Sequence, residues 1–426
     1  MKTKTATRRK FPPLSRNRNY ILLWSSQTLS ELGMSASTVA FPLLVLATTG
    51  SAVAAGLVGF ANGAARFATG VFAGALVDRW DRKRVLVTCE LTRAVAFVGL
   101  VVAIATGQAS VPLILLVAVI EGAFATLFAP AEETTLPKLV SEKQLPSAVA
   151  GITARAYLGA TAGPALGGFL FGLNRIFPFV LDALTYVVST IAVAFIRVPR
   201  QEKKVRKPLR DILPATRDGL VWVWRQPSIR VTFLCQVAIS FVFATLLFLV
   251  IVLANEQGVA PGEVGLIATI LGVGGLAGAF VASPMQAKLG PYRSVVALTW
   301  LSTLLTPLLA VVPPGYWYGV LLGVMAFLTP AATASVQSFQ ILSTPDHLRG
   351  RLSGAAHLFN GAGNALGPLA GGMLVALGPT IAVLTSAGTM LATALVVTAS
   401  RNMRALPRVV GEDTTVLPAP GTDDQQ

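Results

Sequence analysis

Gly159-Ala-Thr-Ala-Gly163-Pro164-Ala-Leu-Gly167-Gly168 and Gly363-Asn-Ala-Leu-Gly367-Pro368-Leu-Ala-Gly371-Gly372 spell one pattern, G-x-x-x-G-P-x-x-G-G, 204 residues apart. Upstream, Phe128-Ala-Pro130 is answered by Leu328-Thr-Pro330. Each string lies in a long apolar run, so the chain is an internal duplication. Gly159, Gly163 and Gly167 recur every four residues, which leaves one helix face smooth enough for a neighbouring helix to approach closely. Pro164 removes a backbone donor in mid-helix and predicts a bend there. Packing alone would account for the glycines. A bent, smooth helix is also a surface on which two halves can rock.

Apolar runs extend outward from these strings at residues 20–47, 53–77, 85–105, 111–130, 147–171, 176–196, 230–253, 264–286, 293–312, 316–337, 352–376 and 380–400. Each is long enough to cross about 30 Å of hydrocarbon at about 1.5 Å per residue. The predicted fold is an all-α polytopic membrane protein, with about twelve transmembrane helices in two pseudo-symmetric six-helix bundles. The repeat falls in the fifth and eleventh runs, six helices apart, so both copies run in the same direction. A parallel repeat of this kind is the plan of transporters whose halves move about a midplane site.

Composition agrees. Of 426 residues, 54% are hydrophobic and 12% charged, with a mean hydropathy of +0.67. That charged share is about half the roughly 25% usual in soluble domains. Cys89 and Cys235 sit in or beside apolar runs and suggest no disulfide framework. His347 and His357 cannot build a usual zinc site alone, so no metal and no cofactor is expected. The first run, from Tyr20, is too long for the core of a cleaved signal peptide and reads as a spanning helix.

The net charge of +15 invites a nucleic-acid reading, and its distribution argues against one. Of 34 Lys and Arg residues, thirty fall on one side of the bundle, before the first helix, in alternate loops and after the last. Arg175 alone falls on the other side, and Arg66, Arg93 and Arg155 lie within spans. Such asymmetry predicts both termini in the cytoplasm of a multi-pass protein of the cell (inner) membrane. The expected organisation is a basic segment 1–19, a first bundle 20–197, a cytoplasmic connection 198–229, a second bundle 230–400 and a disordered tail 401–426. Asp211 to Trp224 is amphipathic enough to lie on the membrane face.

The loop Gly74-Ala-Leu-Val-Asp78-Arg79-Trp-Asp81-Arg82-Lys83 resembles the cytoplasmic signature G-x-x-x-D-R-x-G-R-K of the major facilitator superfamily. The Gly159–Gly168 string resembles the signature of that superfamily's antiporter branch, which consists of exporters. The resemblance covers about Ser15 to Arg404. Leu348-Arg-Gly350-Arg351-Leu-Ser-Gly354 and the stretch from Ala129-Pro130 to Leu139-Val140 are similar to the enterobactin-exporter-like branch. The resemblance implies that Asp78, Arg79, Arg82 and Lys83 form a conformational latch. It also implies that helices 1, 4, 7 and 10 line a central cavity. Two departures stand out. Asp81 replaces a glycine of the pattern, and the matching second-half loop, Lys288-Leu-Gly290-Pro-Tyr-Arg293, has lost its acidic residue.

Charges within spans are expensive unless paired or wetted. They gather in the first half. Glu31, Arg66 and Glu121 fall near mid-span, Arg155 and Asp182 about a third of the way in, and Glu90 and Arg93 nearer the cytoplasmic boundary. With helices 1 and 4 lining the cavity, Glu31 and Glu121 are the candidates to load and release a proton. Arg155, Gln236, Gln337, Gln340, His357, Asn360 and Asn364 are the candidates to touch substrate. For Glu31, Glu121 and Arg155 the alternative is a structural ion pair. For His357 it is a satisfied core residue. No Walker-type, H-E-x-x-H or G-x-S-x-G string occurs, so neither direct use of ATP nor an enzyme is expected. The expected function is export of a small amphipathic molecule in exchange for protons, with a coupled importer as the alternative. The expected partners are that molecule, protons and lipid, with the chain acting as a monomer and without nucleic acid.

Overall fold

A computed structural model describes residues 12–197, 221–344 and 349–404. The basic N-terminal segment up to residue 11, residues 198–220 of the connection with all but the last four residues of its amphipathic stretch, His347 and the tail beyond residue 404 lie outside the described residues.

The first six helices are α1 (Arg18–Thr49), α2 (Ala52–Arg79), α3 (Arg82–Ala105), α4 (Val111–Leu139), α5 (Leu145–Leu173) and α6 (Phe177–Phe195). Side chains start the first three. Asn17, Ser51 and Asp81 accept from the backbone N–H of Tyr20, Ala54 and Arg84, satisfying donors that a helix N-terminus leaves unpaired. Asp81, at φ −65°, therefore needs none of the freedom of the glycine it replaces and works as an N-cap instead.

The second half begins with α7 (Pro227–Glu256). Pro261–Leu305 is one hydrogen-bonded run broken only at Gly290, whose φ of 71° and ψ of 172° turn the chain back on itself. It is therefore two helices, α8 (261–289) and α9 (291–305), the latter ending in the 3-10 turn Thr306–Ala310. A left-handed φ at a one-residue joint is where glycine is required. α10 (Tyr316–Leu342), α11 (Arg349–Leu377), α12 (Pro379–Ala399) and the single turn α13 (Arg401–Arg404) complete the described residues. The described residues thus hold twelve long helices in two sets of six, the number expected.

Nine of the described segments are long and apolar enough to cross a membrane by length and composition alone, with α8 and α9 counted as one. α2 and α11 fall outside that set, and they pack on each other. Helix α4 extends nine residues beyond the expected end at Pro130, taking both Pro130 and Pro137 into the helix. Thr134 donates to the carbonyl of Pro130 and Thr135 to that of Ala131. In lipid, side-chain and neighbour contacts of this kind let a helix pass through proline.

The core is not evenly shared. One buried cluster joins both halves at the end of the bundle opposite Arg79–Arg84. It runs from Val39–Leu46 and Ala52–Val58 of the first half to Val242–Ala254 and Val264–Ala268 of the second. At the basic end there are two separate clusters. Leu23, Val77, Leu86 and Leu139 belong to one in the first half, and Ile229, Phe233, Val295 and Phe339 to one in the second. The bundle is closed at one end and split at the other.

Glycine sets the contacts between the helices. A Cβ on Gly159 would lie 2.6 Å from Glu31 Cγ, and one on Gly163 or Gly167 would strike Ser35 or the Ala36 carbonyl. This stripe faces α1, inside its own half, and not the other half. In the second half Gly363, Gly367 and Gly371 face α7 in the same way. The crossing between halves falls to the last glycine of each string. Gly168 meets Gly265 of α8, and Gly372 meets Gly56 of α2. α5 continues through Pro164. The ring leaves the Ala160 carbonyl without its helical donor. That oxygen would lie 2.7 Å from a Cβ on Gly272 of α8. The close contact of α5 with the other half is therefore at the Pro164–Gly168 edge and the Ala160 carbonyl, not along the Gly159–Gly167 stripe.

Candidate functional site

Against the second-half core lies a cavity of about 410 Å³. Its wall is mostly second-half: α7, α8, α9, α10 and α11 contribute, joined by Tyr157 and Ala160 of α5. It has no charged lining. Its hydrogen-bonding groups come from residues such as Gln236, Thr329, Asn360 and Asn364. Two of these are unsatisfied. Gln236 Oε1 and Thr329 Oγ1 are buried without a hydrogen-bond partner among the described residues. Asn360 Oδ1 accepts from Ser240 at 3.0 Å, and Asn364 donates to the Asn360 carbonyl at 3.0 Å, which leaves the exposed Asn364 Oδ1 free to accept. Buried groups without partners are costly. A mostly apolar pocket with a few such groups is the usual form of a small-molecule site.

Of the substrate candidates, Gln236, Asn360 and Asn364 line this cavity. Gln340 does not. It is buried and donates to Thr232 Oγ1 at 3.0 Å, behind the wall. Gln337 is exposed and does not line the cavity. His357 lies on α11, and its side chain is not among those described. Arg155 is held elsewhere by a bidentate pair with Glu132 of α4, one contact at 2.6 Å, both groups buried. It ties α4 to α5 within the first half.

Glu121 and Glu31 part company. Glu121 receives Arg93 Nε at 2.9 Å and an Arg93 terminal nitrogen at 2.7 Å, and Tyr186 OH donates to it at 3.1 Å. Arg93 also reaches Glu90 at 3.2 Å, and Glu90 accepts from Gln27 at 3.4 Å. Ser37 donates to Asp182 nearby. These groups are buried within α1, α3, α4 and α6, and they pin four helices into one body. Glu31 instead is half-buried, lies against Gly159, and makes neither a hydrogen bond nor an ion pair within 4 Å among the described residues.

At the loop between α2 and α3, Arg82 donates to the Thr134 carbonyl of α4 at 3.1 Å, so the loop is fastened to the end of α4. Asp78 and Arg79 are both engaged in interactions. Lys83 is half-buried beside them.

Two kinds of residue escaped the sequence reading. Thr329 carried a signal: it replaces the Ala129 of the first repeat copy. Arg66 was visible as a mid-span charge, but only the packing shows that no carboxylate comes within 4 Å of it among the described residues.

Comparison with known proteins follows the same lines. The chain is 28% identical to the multidrug efflux pump Tap of Mycolicibacterium fortuitum over 366 residues, 83% of this chain and 88% of Tap. It is 26% identical to the enterobactin exporter EntS of Salmonella typhi over 340 residues, 79% of this chain and 80% of EntS. Among solved structures it superposes on the nucleoside transporter NupG with a TM-score of 0.69 at 15% identity, covering 91% of this chain and 99% of that one. It superposes on a bacterial homologue of the iron transporter ferroportin, in its inward-facing state, with a TM-score of 0.68 at 15% identity and the same coverage. Residues 9–416 match the family described as transmembrane secretion effector, and the chain belongs to that family of major facilitator transporters.

Proposed function

We propose that the protein is a secondary active exporter that carries a small amphipathic molecule, such as a drug, a siderophore or another secondary metabolite, across the cytoplasmic membrane by alternating access. One observation carries the reading: a single core joins both halves at one end, each half has its own core at the other, and a neutral cavity with unsatisfied polar groups lies against the second-half core with Tyr157 and Ala160 of the first half on its wall. With the positive charge on the cytoplasmic side, the open end faces the cytoplasm, where an exporter loads. Its relatives named for efflux and export support the direction. Binding favours one arrangement of the halves only if the cargo contacts them differently in each. The Pro164–Gly168 edge, between α5 and α8, lies where those contacts change.

Exchange for protons is the coupling we favour, with Glu31 as the carrier. It is the candidate carboxyl group that combines partial exposure with freedom from hydrogen-bond and ion-pair partners within 4 Å among the described residues, and it lies against Gly159 of the α5 stripe. Glu121, locked by Arg93 and Tyr186, fits a structural role. The test is uphill efflux from proteoliposomes against a panel of amphipathic compounds, with and without an imposed pH gradient. Flux that requires ATP, or accumulation in the opposite direction, would contradict the reading.

A further inference from the structure

The two halves set different chemistry at equivalent positions. Gly56 of α2 faces the Pro368 carbonyl and Gly372, and Gly265 of α8 faces the Pro164 carbonyl and Gly168. Gly63 likewise faces Ala365, and Gly272 faces Thr161. Helix α2 therefore maps onto α8 with a shift of 209 residues, Gly56 to Gly265 and Gly63 to Gly272. Under that mapping Arg66 falls on Gly275. Gly275 borders the cavity, and a Cβ there would meet nothing within 4 Å. Where the second half leaves space, the first half places a guanidinium.

That guanidinium is oriented and incompletely used. Asn62 is fixed by its own donation to the Ala118 carbonyl at 2.9 Å, and its oxygen holds Arg66 Nε at 3.0 Å. One terminal nitrogen has only the Met34 sulfur, at 3.5 Å, and sulfur is a weak acceptor. The other has no hydrogen-bond partner among the described residues. Arg66 is half-buried at the middle of α2, about 20 Å from either end at 1.5 Å per residue. Its side chain cannot reach an interface from there. A cation at that depth is normally paired or faces a polar path. Helix α11 is the wall shared with the cavity: Gly361 and Ala365 face Phe67 and Gly63, while Asn360 and Asn364 line the pocket.

We propose that Arg66 anchors an acidic group of the cargo, so that this exporter prefers amphipathic anions. The apolar body occupies the neutral cavity beside Gly275, and a carboxylate, sulfonate or phenolate meets the two terminal nitrogens of Arg66. The inference rests on the exporter reading for its word cargo, while its test is a binding measurement.

The full-length protein in lipid nanodiscs would be titrated with 1-pyrenebutyrate and with its neutral counterpart 1-pyrenebutanol, empty nanodiscs subtracted. The wild type should bind the acid at least about tenfold more tightly than the alcohol, the equivalent of one charge-assisted contact. Arg66→Gln should erase that preference and leave alcohol binding unchanged. Arg66→Lys should keep most of it, which shows that charge and not folding is read. Gly275→Leu should weaken both probes. Equal affinities in the wild type, binding of neither probe, or a preference that survives Arg66→Gln overturns the anchor. If the preference depends on Arg66 but proteoliposomes export neither probe, the anchor stands and the exporter reading falls. If pyrenebutanol is exported without any anion preference, the reverse holds.

Discussion

Gly168 and Gly372 are the same residue of the repeat, and each crosses from its own half to the other: Gly168 meets Gly265 on α8, and Gly372 meets Gly56 on α2. The three glycines before each of them face α1 or α7, inside their own half. One ten-residue string therefore does two jobs, and its positions separate them.

The outer position should control closure. Gly168→Leu, and equally Gly372→Leu, should push α5 from α8 or α11 from α2 at the sealed end. We expect normal amounts of protein in the membrane and a strong loss of export. We also expect new reactivity of a cysteine placed at Ala160 toward a thiol reagent outside the cell. Wild-type flux in either variant would break the symmetry argument.

The inner position should control folding. In Gly163→Leu the added side chain strikes Ser35 within the first half. Overpacking of that kind costs about 1–3 kcal/mol. The amount of folded protein should fall, as read by fluorescence-detected size-exclusion chromatography after mild heating. Full stability with impaired flux would move Gly163 to the same role as Gly168.

The two glutamates should differ in kind. Replacing Glu121 by Gln leaves Arg93 buried without its bidentate partner. Breaking a buried pair costs about 3–5 kcal/mol, so yield and melting temperature should drop. Glu31→Gln removes no hydrogen bond or close ion pair. It should give normal yield and retained substrate exchange but no uphill export under a pH gradient. Uphill export by Glu31→Gln at the wild-type level would end the case for that carrier.

Orientation is open to a direct check. Cysteines at Gly107, Gly258 and Gly315 lie in turns at the sealed end and should react with an impermeant thiol reagent in intact cells. One at Lys143, between α4 and α5, should react only after the membrane is opened. The opposite labelling pattern would invert the topology.

The latch is the remaining proposal. Arg82, the first residue of α3, bonds the α4 carbonyl of Thr134, and Asp78 lies in the last turn of α2 just before it. Asp78→Asn and Arg82→Gln should both slow export while leaving protein in the membrane and equilibrium binding intact. Unchanged turnover in both would remove the loop from the mechanism.

The sequence by itself determined the spans, the duplication and the charge asymmetry. Each follows from local chemistry: apolar length matched to bilayer thickness, a repeated string of small residues, and the placement of Lys and Arg. It even marked which helices carry charge at mid-depth. What it could not determine was pairing. Glu121 and Arg155 could be cavity groups or members of structural ion pairs until α3 brought Arg93 to one and α4 brought Glu132 to the other. Gln340 looked equivalent to Gln236, yet one is satisfied by Thr232 and the other's oxygen has no partner. Arg66 looked like one more interior charge, and only packing shows that no carboxylate among the described residues comes within 4 Å of it. A side chain's role inside a membrane depends on which neighbour reaches it, and neighbours from distant helices are assigned by the tertiary fold, where the sequence carries no spacing to reveal them.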